Sequence, residues 1–304
     1  MPITPNNTGT WDNNAIKFPE LTQKIVETPM DGFDMRTLLQ YHRAKSDRVI
    51  VPIEEACSTA VVDRVGQGAE IPLMFSPIEG QEIVTYKIGR GYMITHEMAQ
   101  YQQIPVIEHR LKRLALEMKN TANIDVITAI GAGVPVANII ACTGTSLGND
   151  GTVFTIAGTI GQYDITNGIR ILEENYKGLK EKIVFLVNPI GKQQVSRLPH
   201  YSSKNQYGKS AYMDGMRGSI EGTQVIVSNL VPANTAFLIA TDPKSWRTGQ
   251  YTPVGFFIES RPLEVLNRPV EHRDGFQVFS VWEYGVGITY GEGIVKLTFG
   301  GASS

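Results

Sequence analysis

The chain reads as a mixed α+β protein, on three observations. Apolar residues at Ile107, Leu111, Leu114, Met118, Ala122, Val126 and Ile130 recur every three or four positions, the period of one long helix. Short β-branched runs such as Ile183-Val184-Phe185-Leu186-Val187 and Gln224 to Val227 sit between Gly, Pro and Asn clusters, the punctuation of strands. No internal repeat is present that would indicate a solenoid or propeller.

Composition narrows the class. With 304 residues, 42% hydrophobic and 19% charged, the chain suits one large or two moderate cores and is neither fibrous nor disordered. No run approaches the ~18 apolar residues of a membrane span, and no membrane contact is expected. Met1-Pro2-Ile3-Thr4-Pro5 lacks the basic and apolar pattern of a secretion signal. Two cysteines, Cys57 and Cys142, give no disulfide framework and fit a reducing cytoplasm. A net charge of -2 argues against a dedicated nucleic-acid binder, because counterion release rewards a basic excess. It leaves room for weak, non-specific contact with DNA.

The elements follow in order. Residues 1–33 form a Pro-, Asn- and Gly-rich arm with recurrent apolar residues, Trp11 and Phe18 among them; such an arm gains order by lying on another surface. In 34–58, Asp34 is placed to cap a short helix from Met35 to about Arg43. Residues 59–95 read as a long two-stranded excursion, rising through Ala60 to Val65 and returning through Glu82 to Ile88. Its tip carries Ile71, Leu73, Met74, Phe75 and Ile78. An isolated hairpin is marginal in water, so an apolar tip needs a partner surface. Thr95 is read as the cap of a helix that Pro105 interrupts and restarts, within the segment 96–150. The long helix then runs to Gly131 and Gly133, which end it; at ~25 residues it spans ~37 Å.

Strands are expected at Val136 to Ala141 and Thr152 to Ala157, around a Gly-rich turn from Gly144 to Gly151. In 151–250, Asp164 caps a helix to about Tyr176, followed by the strand Ile183–Val187 and a helix from Asn188-Pro189 to about Leu198. Residues 199–218 are polar and basic, with Lys204, Lys209 and Arg217. Strands then cover Gln224 to Val227 and Ala236 to Ala240. The closing segment 251–304 has strands at Phe256 to Ser260, Gln277 to Glu283 and Ile294 to Thr298. Gly285, Gly287, Gly291 and Gly293 are read as turns or bulges. The mixed charges Glu259, Arg261, Glu264, Arg268, Glu271, Arg273 and Asp274 are read as ion pairs within or between subunits.

This order of parts, with local stretches, carries a resemblance. Val62-Asp63-Arg64-Val65-Gly66-Gln67-Gly68-Ala69-Glu70-Ile71-Pro72 and Tyr86-Lys87-Ile88-Gly89 resemble the rising and returning arms of the extended loop in Hong Kong 97-type major capsid proteins of tailed phages and related viruses. Met216-Arg217-Gly218-Ser219-Ile220-Glu221-Gly222-Thr223-Gln224-Val225, on to Val231-Pro232, resembles that family's "glycine, isoleucine, x, glycine, x, x, valine … valine, proline" passage. The resemblance implies an N-terminal arm at 1–33, an extended loop at 59–95, a peripheral domain with its spine helix at 96–150, an axial domain at 151–250, and closing strands at 251–304, mostly peripheral. It implies a major capsid protein assembling as pentamers and hexamers of an icosahedral shell around double-stranded DNA, formed in the host cytoplasm and resident in the virion. Its partners would be copies of itself, separate scaffolding and portal proteins, and a decoration protein. Ile71, Leu73, Met74, Phe75, Ile78, Trp11 and Phe18 would make inter-subunit contacts; Lys204, Lys209 and Arg217 would face the capsomer axis. Two departures stand out. With Met1 about 60 residues before the loop, no removable scaffolding segment is expected there, and no lysine lies between Thr59 and Tyr86 for cross-linking, with Lys87 at the loop's base.

The alternative within the fold is an encapsulin-type nanocompartment shell. An alternative of another class is a serine hydrolase, because Gly144-Thr145-Ser146-Leu147-Gly148 fits the nucleophile elbow G-x-S-x-G. A strand, not the required helix, is expected after it, so no enzyme activity is assigned. His42, His96, His109, His200 and His272 have no metal-ligand spacing, and no metal or cofactor is expected.

If the loop tip packs on a neighbouring subunit, burying ~100 Å² of apolar surface there is worth ~2.5 kcal/mol. Phe75→Asp should then leave folded, soluble subunits and few closed shells, counted by negative-stain microscopy; an undiminished shell count refutes the placement.

Overall fold

The computed structural model describes residues 33–54, 78–95, 106–147, 152–175, 183–198, 219–220, 223–241, 253–270 and 275–300. Among them lie two main sheets and one long helix. The strands Gln40–Arg43 (β1), Gly255–Val270 (β12), Gly275–Ile288 (β13) and Tyr86–Thr95 (β4) form a four-stranded sheet in the order β1-β12-β13-β4. Its centre is a long antiparallel hairpin, Gly255 opposite Ile288 through to Val270 opposite Gly275, with register shifts between Glu259 and Glu264. The expected ion-pair run therefore belongs to a bulged strand. Arg261 does pair with Glu264 at 2.7 Å, whereas Glu259 takes hydrogen bonds from Trp282 Nε1 at 2.7 Å and from the Tyr41 hydroxyl.

The second sheet has six strands: Ile139–Ala141 (β5), Ile294–Thr298 (β14), Thr235–Ala240 (β11), Ile183–Val187 (β8), Thr223–Val227 (β10) and Ser219–Ile220 (β9), in that order. β5 and β14 thus share a sheet with β8, β10 and β11, although long stretches of chain separate them. Alternation along β8 divides the sheet's two faces. Val184 and Leu186 join the core with Phe257, Trp282 and Ile130, while Ile183, Phe185 and Val187 face Ile165, Ile169 and Leu172. The latter belong to the helix Gln162–Asn175 (α2). The helix Pro189–Ser196 (α3) starts on the Asn188 cap, whose side chain accepts from Gly191 N at 2.6 Å, with Pro189 in its first turn, as the sequence indicates.

The long helix Val106–Ala132 (α1) has the expected span. Leu114, Met118, Ala122, Val126 and Ile130 are buried, so its apolar stripe faces the core. The opposite strand is aligned by carboxylates. Asp125 accepts from Tyr86 Oη at 2.8 Å and Tyr284 Oη at 2.6 Å. About two turns earlier, Glu117 meets Arg90 at 2.7 Å and Tyr92 Oη at 3.4 Å. Eight helical residues rise roughly 12 Å and four extended ones roughly 13 Å, so the antiparallel helix and strand match in length between these contacts.

Several expectations are corrected. Asp34 caps as expected, accepting from Arg36 N at 3.1 Å, but the element is only the 3-10 turn Met35–Leu38. Gln40–Arg43 is instead β1, parallel to β12: pairing with an available strand outweighs a weak local helical preference. Thr95 is the last residue of β4, and residues 96–105, where the helix after Thr95 is expected, lie outside the described part. The return arm of the excursion, Ile78–Val84 (β3), pairs with Arg48–Glu54 (β2), Arg48 opposite Val84 and Glu54 opposite Ile78; Ala60 to Val65 lie outside the described part. Val136–Asn138 is a 3-10 turn preceding β5. Its Asn138 is buried and donates to the carbonyls of Glu292 and Ile294. Gly285 and Gly287 lie inside β13, where a Cβ would stand 2.6 Å from Val84 O and 2.4 Å from Ile83 Cδ1. They admit the root of the β2–β3 hairpin, as strand glycines do where another backbone approaches. Gly291 and Gly293 do form a turn.

Burial, the hydrogen bond to the Asp125 carboxylate and its negative charge all push the pKa of the Tyr284 and Tyr86 phenols well above the ordinary tyrosine value. The folded chain then keeps its phenol protons at pH values where the unfolded chain releases them, so stability falls as pH rises above ~10. Tyr284→Phe removes both the hydrogen bond and this liability. The advantage of the natural protein over the variant should shrink by about 1.4 kcal/mol from pH 8 to pH 11, measured by denaturant unfolding of unassembled subunits. An advantage independent of pH would mean that the phenol ionises freely in the folded state.

Candidate assembly surfaces

The β2–β3 hairpin is a separate two-stranded sheet. Val49, Val51 and Ile83 face inward with Ala44, Phe256 and Ile258. The other face carries Arg48, Ile50, Glu82 and Val84, with Ile50 70% and Val84 53% exposed and Arg48 paired to Glu82 at 3.2 Å. Ile50 and Val84 are thus exposed β-branched residues on the face of the ribbon turned away from the body. Of the residues expected to contact neighbours, Ile78 opens β3; Trp11, Phe18, Ile71, Leu73, Met74 and Phe75 lie outside the described residues, as do Lys204, Lys209 and Arg217. The sequence reading missed Ile50 because Pro52 interrupts the run Val49 to Ile53. Proline is confined to sheet edges, and an edge is where β2 lies.

The turn Met35–Leu38, which precedes β1, is tied to the long helix and the four-stranded sheet. Asn123 of α1 accepts from Met35 N at 3.1 Å and donates to Phe33 O at 3.3 Å. The Arg36 guanidinium lies 5.3 Å from the Trp282 ring centroid and 5.8 Å from that of Phe257, within cation–π range. Burial works to raise the Asp34 carboxyl, but its hydrogen bonds and charge pairing with Arg36 prevail and hold it below the usual value.

A second surface lies on the six-stranded lobe. Thr145–Leu147 (β6) and Val153–Thr155 (β7) make a small antiparallel flap. Ser146, the candidate nucleophile, is 1% exposed at the centre of β6 and accepts from Gln162 N at 3.0 Å. Its hydroxyl satisfies a free N–H in the first turn of α2 and is not held out at a strand-to-helix elbow. Asp164 is not the N-cap but lies in the first turn, reaching back to Gly161 N at 2.8 Å in the manner of a capping box. It also accepts from Thr143 N, Thr143 Oγ1 and Gly144 N, at 3.1, 3.0 and 3.0 Å. Gly144 has φ +72° and a Cβ there would meet Ile156 O at 1.9 Å, so both conformation and space require glycine. Cys142 is half-buried; burial and the nearby Asp164 push its thiol up to about 12, which suits an inert packing residue. Among the described residues no cluster of His, Cys, Asp and Glu could hold a metal, and no helix is long and apolar enough to cross a membrane.

The architecture has close counterparts among solved structures. The capsid of a native GTA particle computed with C5 symmetry aligns with a TM-score of 0.67 at 11% identity, covering 88% of this chain and 90% of that one. The mature capsid of bacteriophage PhiM1 aligns at 0.63 and 10% identity, covering 89% and 87%. The holo-SrpI encapsulin complex from Synechococcus elongatus PCC 7942 aligns at 0.58 and 10% identity, covering 88% and 87%. At such identities the likeness is one of fold: the molecule has the Hong Kong 97-type capsid fold. The family model described as phage capsid protein matches residues 79–297. The chain belongs to that family and is a shell protein of the virion. A comparison with the sequences of curated proteins found no match.

Asp164→Ala should destabilise the subunit by about 3 kcal/mol or more, because it strands several buried donors that now meet a carboxylate. Thermal unfolding measures the loss, and Asp164→Asn should recover only part of it. A change below about 0.5 kcal/mol would mean that the flap is not held by this carboxylate.

Proposed function

We propose that this chain is the major capsid protein of a tailed phage, assembling as pentamers and hexamers of an icosahedral shell around a double-stranded DNA genome. The observation that carries the reading is the β2–β3 hairpin. It leaves the compact sheets as a separate ribbon whose outer face exposes Ile50 and Val84 beside the Arg48–Glu82 pair, as a piece meant to lie over a neighbour would. A shell of one chain repeats one contact around five- and six-fold axes, and weak contacts become durable through multivalency. In this reading the four-stranded sheet and α1 form the peripheral lobe, and the six-stranded sheet forms the axial lobe. Scaffolding, portal and decoration proteins are separate partners, DNA contact is weak and non-specific, and assembly takes place in the host cytoplasm. The role is structural, without catalysis.

The encapsulin likeness provides a second reading, a nanocompartment holding a protein cargo. One experiment separates the two. The chain is expressed alone and with its neighbouring genes, and particles are imaged by negative stain and assayed for nuclease-protected DNA. Closed shells with five- and six-fold capsomers and protected DNA are expected. A shell filled with protein and free of DNA supports the nanocompartment, and a chain that stays monomeric under all conditions overturns both.

A further inference from the structure

From Asn120 to Ile169 the chain contains no lysine, arginine, glutamate or histidine, and only three aspartates, in a protein that is 19% charged. Two of the three, Asp125 and Asp164, are engaged in hydrogen bonds within the subunit. The flap sits inside this stretch. Its register, Thr145 opposite Thr155 and Leu147 opposite Val153, places those four side chains on one face, while Ser146 points to α2. Thr143, Thr145 and Thr155 are linked by hydroxyl hydrogen bonds of 3.0 and 3.2 Å. Val153 is 61% and the adjoining Ile156 55% exposed. A two-stranded ribbon of three residues per strand has no stability of its own. This one is held by the four donors to Asp164, by Ser146 and by Ile156 N donating to Gly144 O at 3.1 Å. The described residues of the flap therefore present a face of valine, isoleucine and threonine without a charged side chain, and Asp150, between β6 and β7 in sequence, is the third aspartate of the stretch.

We propose that this flap face is a contact between copies of this chain in the shell, an inference that rests on the capsid reading. The charge pattern identifies the occupant. Packaged DNA is recognised by cations, and the stretch contains none. Depletion of charge is the mark of the core of a protein–protein contact. A surface that meets another copy of the same chain carries no like-charge penalty when it is neutral. Pre-organisation by Asp164 also spares the ordering entropy that a loose loop would lose on docking.

The test uses the full chain. Val153→Lys with Ile156→Lys introduces charge at two exposed positions, so the unassembled subunit should unfold at the natural temperature. Shell yield should fall roughly tenfold or more, because the contact would enclose unpaired ammonium groups. Val153→Thr with Ile156→Thr should assemble normally. In a third variant, Val153→Cys, maleimide labelling above the natural-protein background should be complete in free subunits and blocked in shells made of this chain alone. Shells formed at the natural level by the lysine variant overturn the proposal. So does equal labelling in both states, which is the result if a decoration protein covers the face, and so does blocked labelling in free subunits, the result if the chain's own N-terminal segment covers it. Failure of the natural chain to form any shell overturns the capsid reading itself, a result distinct from these.

Discussion

One carboxylate, Asp125 on the long helix, sets where the rest of the molecule can lie. It takes the hydroxyls of Tyr86 and Tyr284, which are register partners on β4 and β13, so a single anion aligns helix and sheet at the same point. The two rings sit 5.3 Å apart, and Tyr284 stacks on Phe257 at 5.2 Å. Sliding β4 by one residue would turn Tyr86 to the opposite face and remove this contact. Glu117 repeats the constraint near the other end of the strand. Because β4 follows directly from β3, the position of the protruding hairpin is a consequence of the same alignment.

The two sheets are joined through a shared interior rather than a linker. Val184, Leu186, Phe237 and Ile239 from the six-stranded sheet pack with Phe257, Trp282 and Tyr284 from the four-stranded one. Close-packed interiors resist small deformations, so the body behaves as a stiff unit. In the proposed shell, adaptation to different positions would fall to the pieces outside it. The β2–β3 ribbon is the clearest, since only one of its faces is packed against the body.

The long helix and the strands β8, β10, β11 and β14 were legible because each is a local pattern repeated over enough residues: a stripe of period 3.6, or a β-branched run between turn formers. The Asn188-Pro189 start of α3 was legible as chemistry, a side-chain acceptor followed by a residue without an N–H. What stayed hidden were roles defined by a partner distant in sequence. Ser146 looks like a nucleophile in a five-residue window and becomes a structural acceptor only when Gln162 N lies 3.0 Å away. Gly285 and Gly287 look like turns until Ile83 and Val84 occupy the space where their side chains would be. Gln40 to Arg43 resembles the end of a helix until β12 offers it a parallel edge.

The sequence by itself thus determined the fold class, the long helix, most of the sheet-forming segments and the family resemblance, since all of these rest on periodicity and order along the chain. Only the tertiary structure decided which strands pair, that β2 accompanies β3, and that β5 and β14 share a sheet with β8. It also decided that the charge-poor stretch after α1 carries a flap pinned by one aspartate. Pairing and burial are sums over contacts between residues far apart in sequence, each too weak to leave a local mark. They become definite only when the whole core closes and every buried polar group must find its partner.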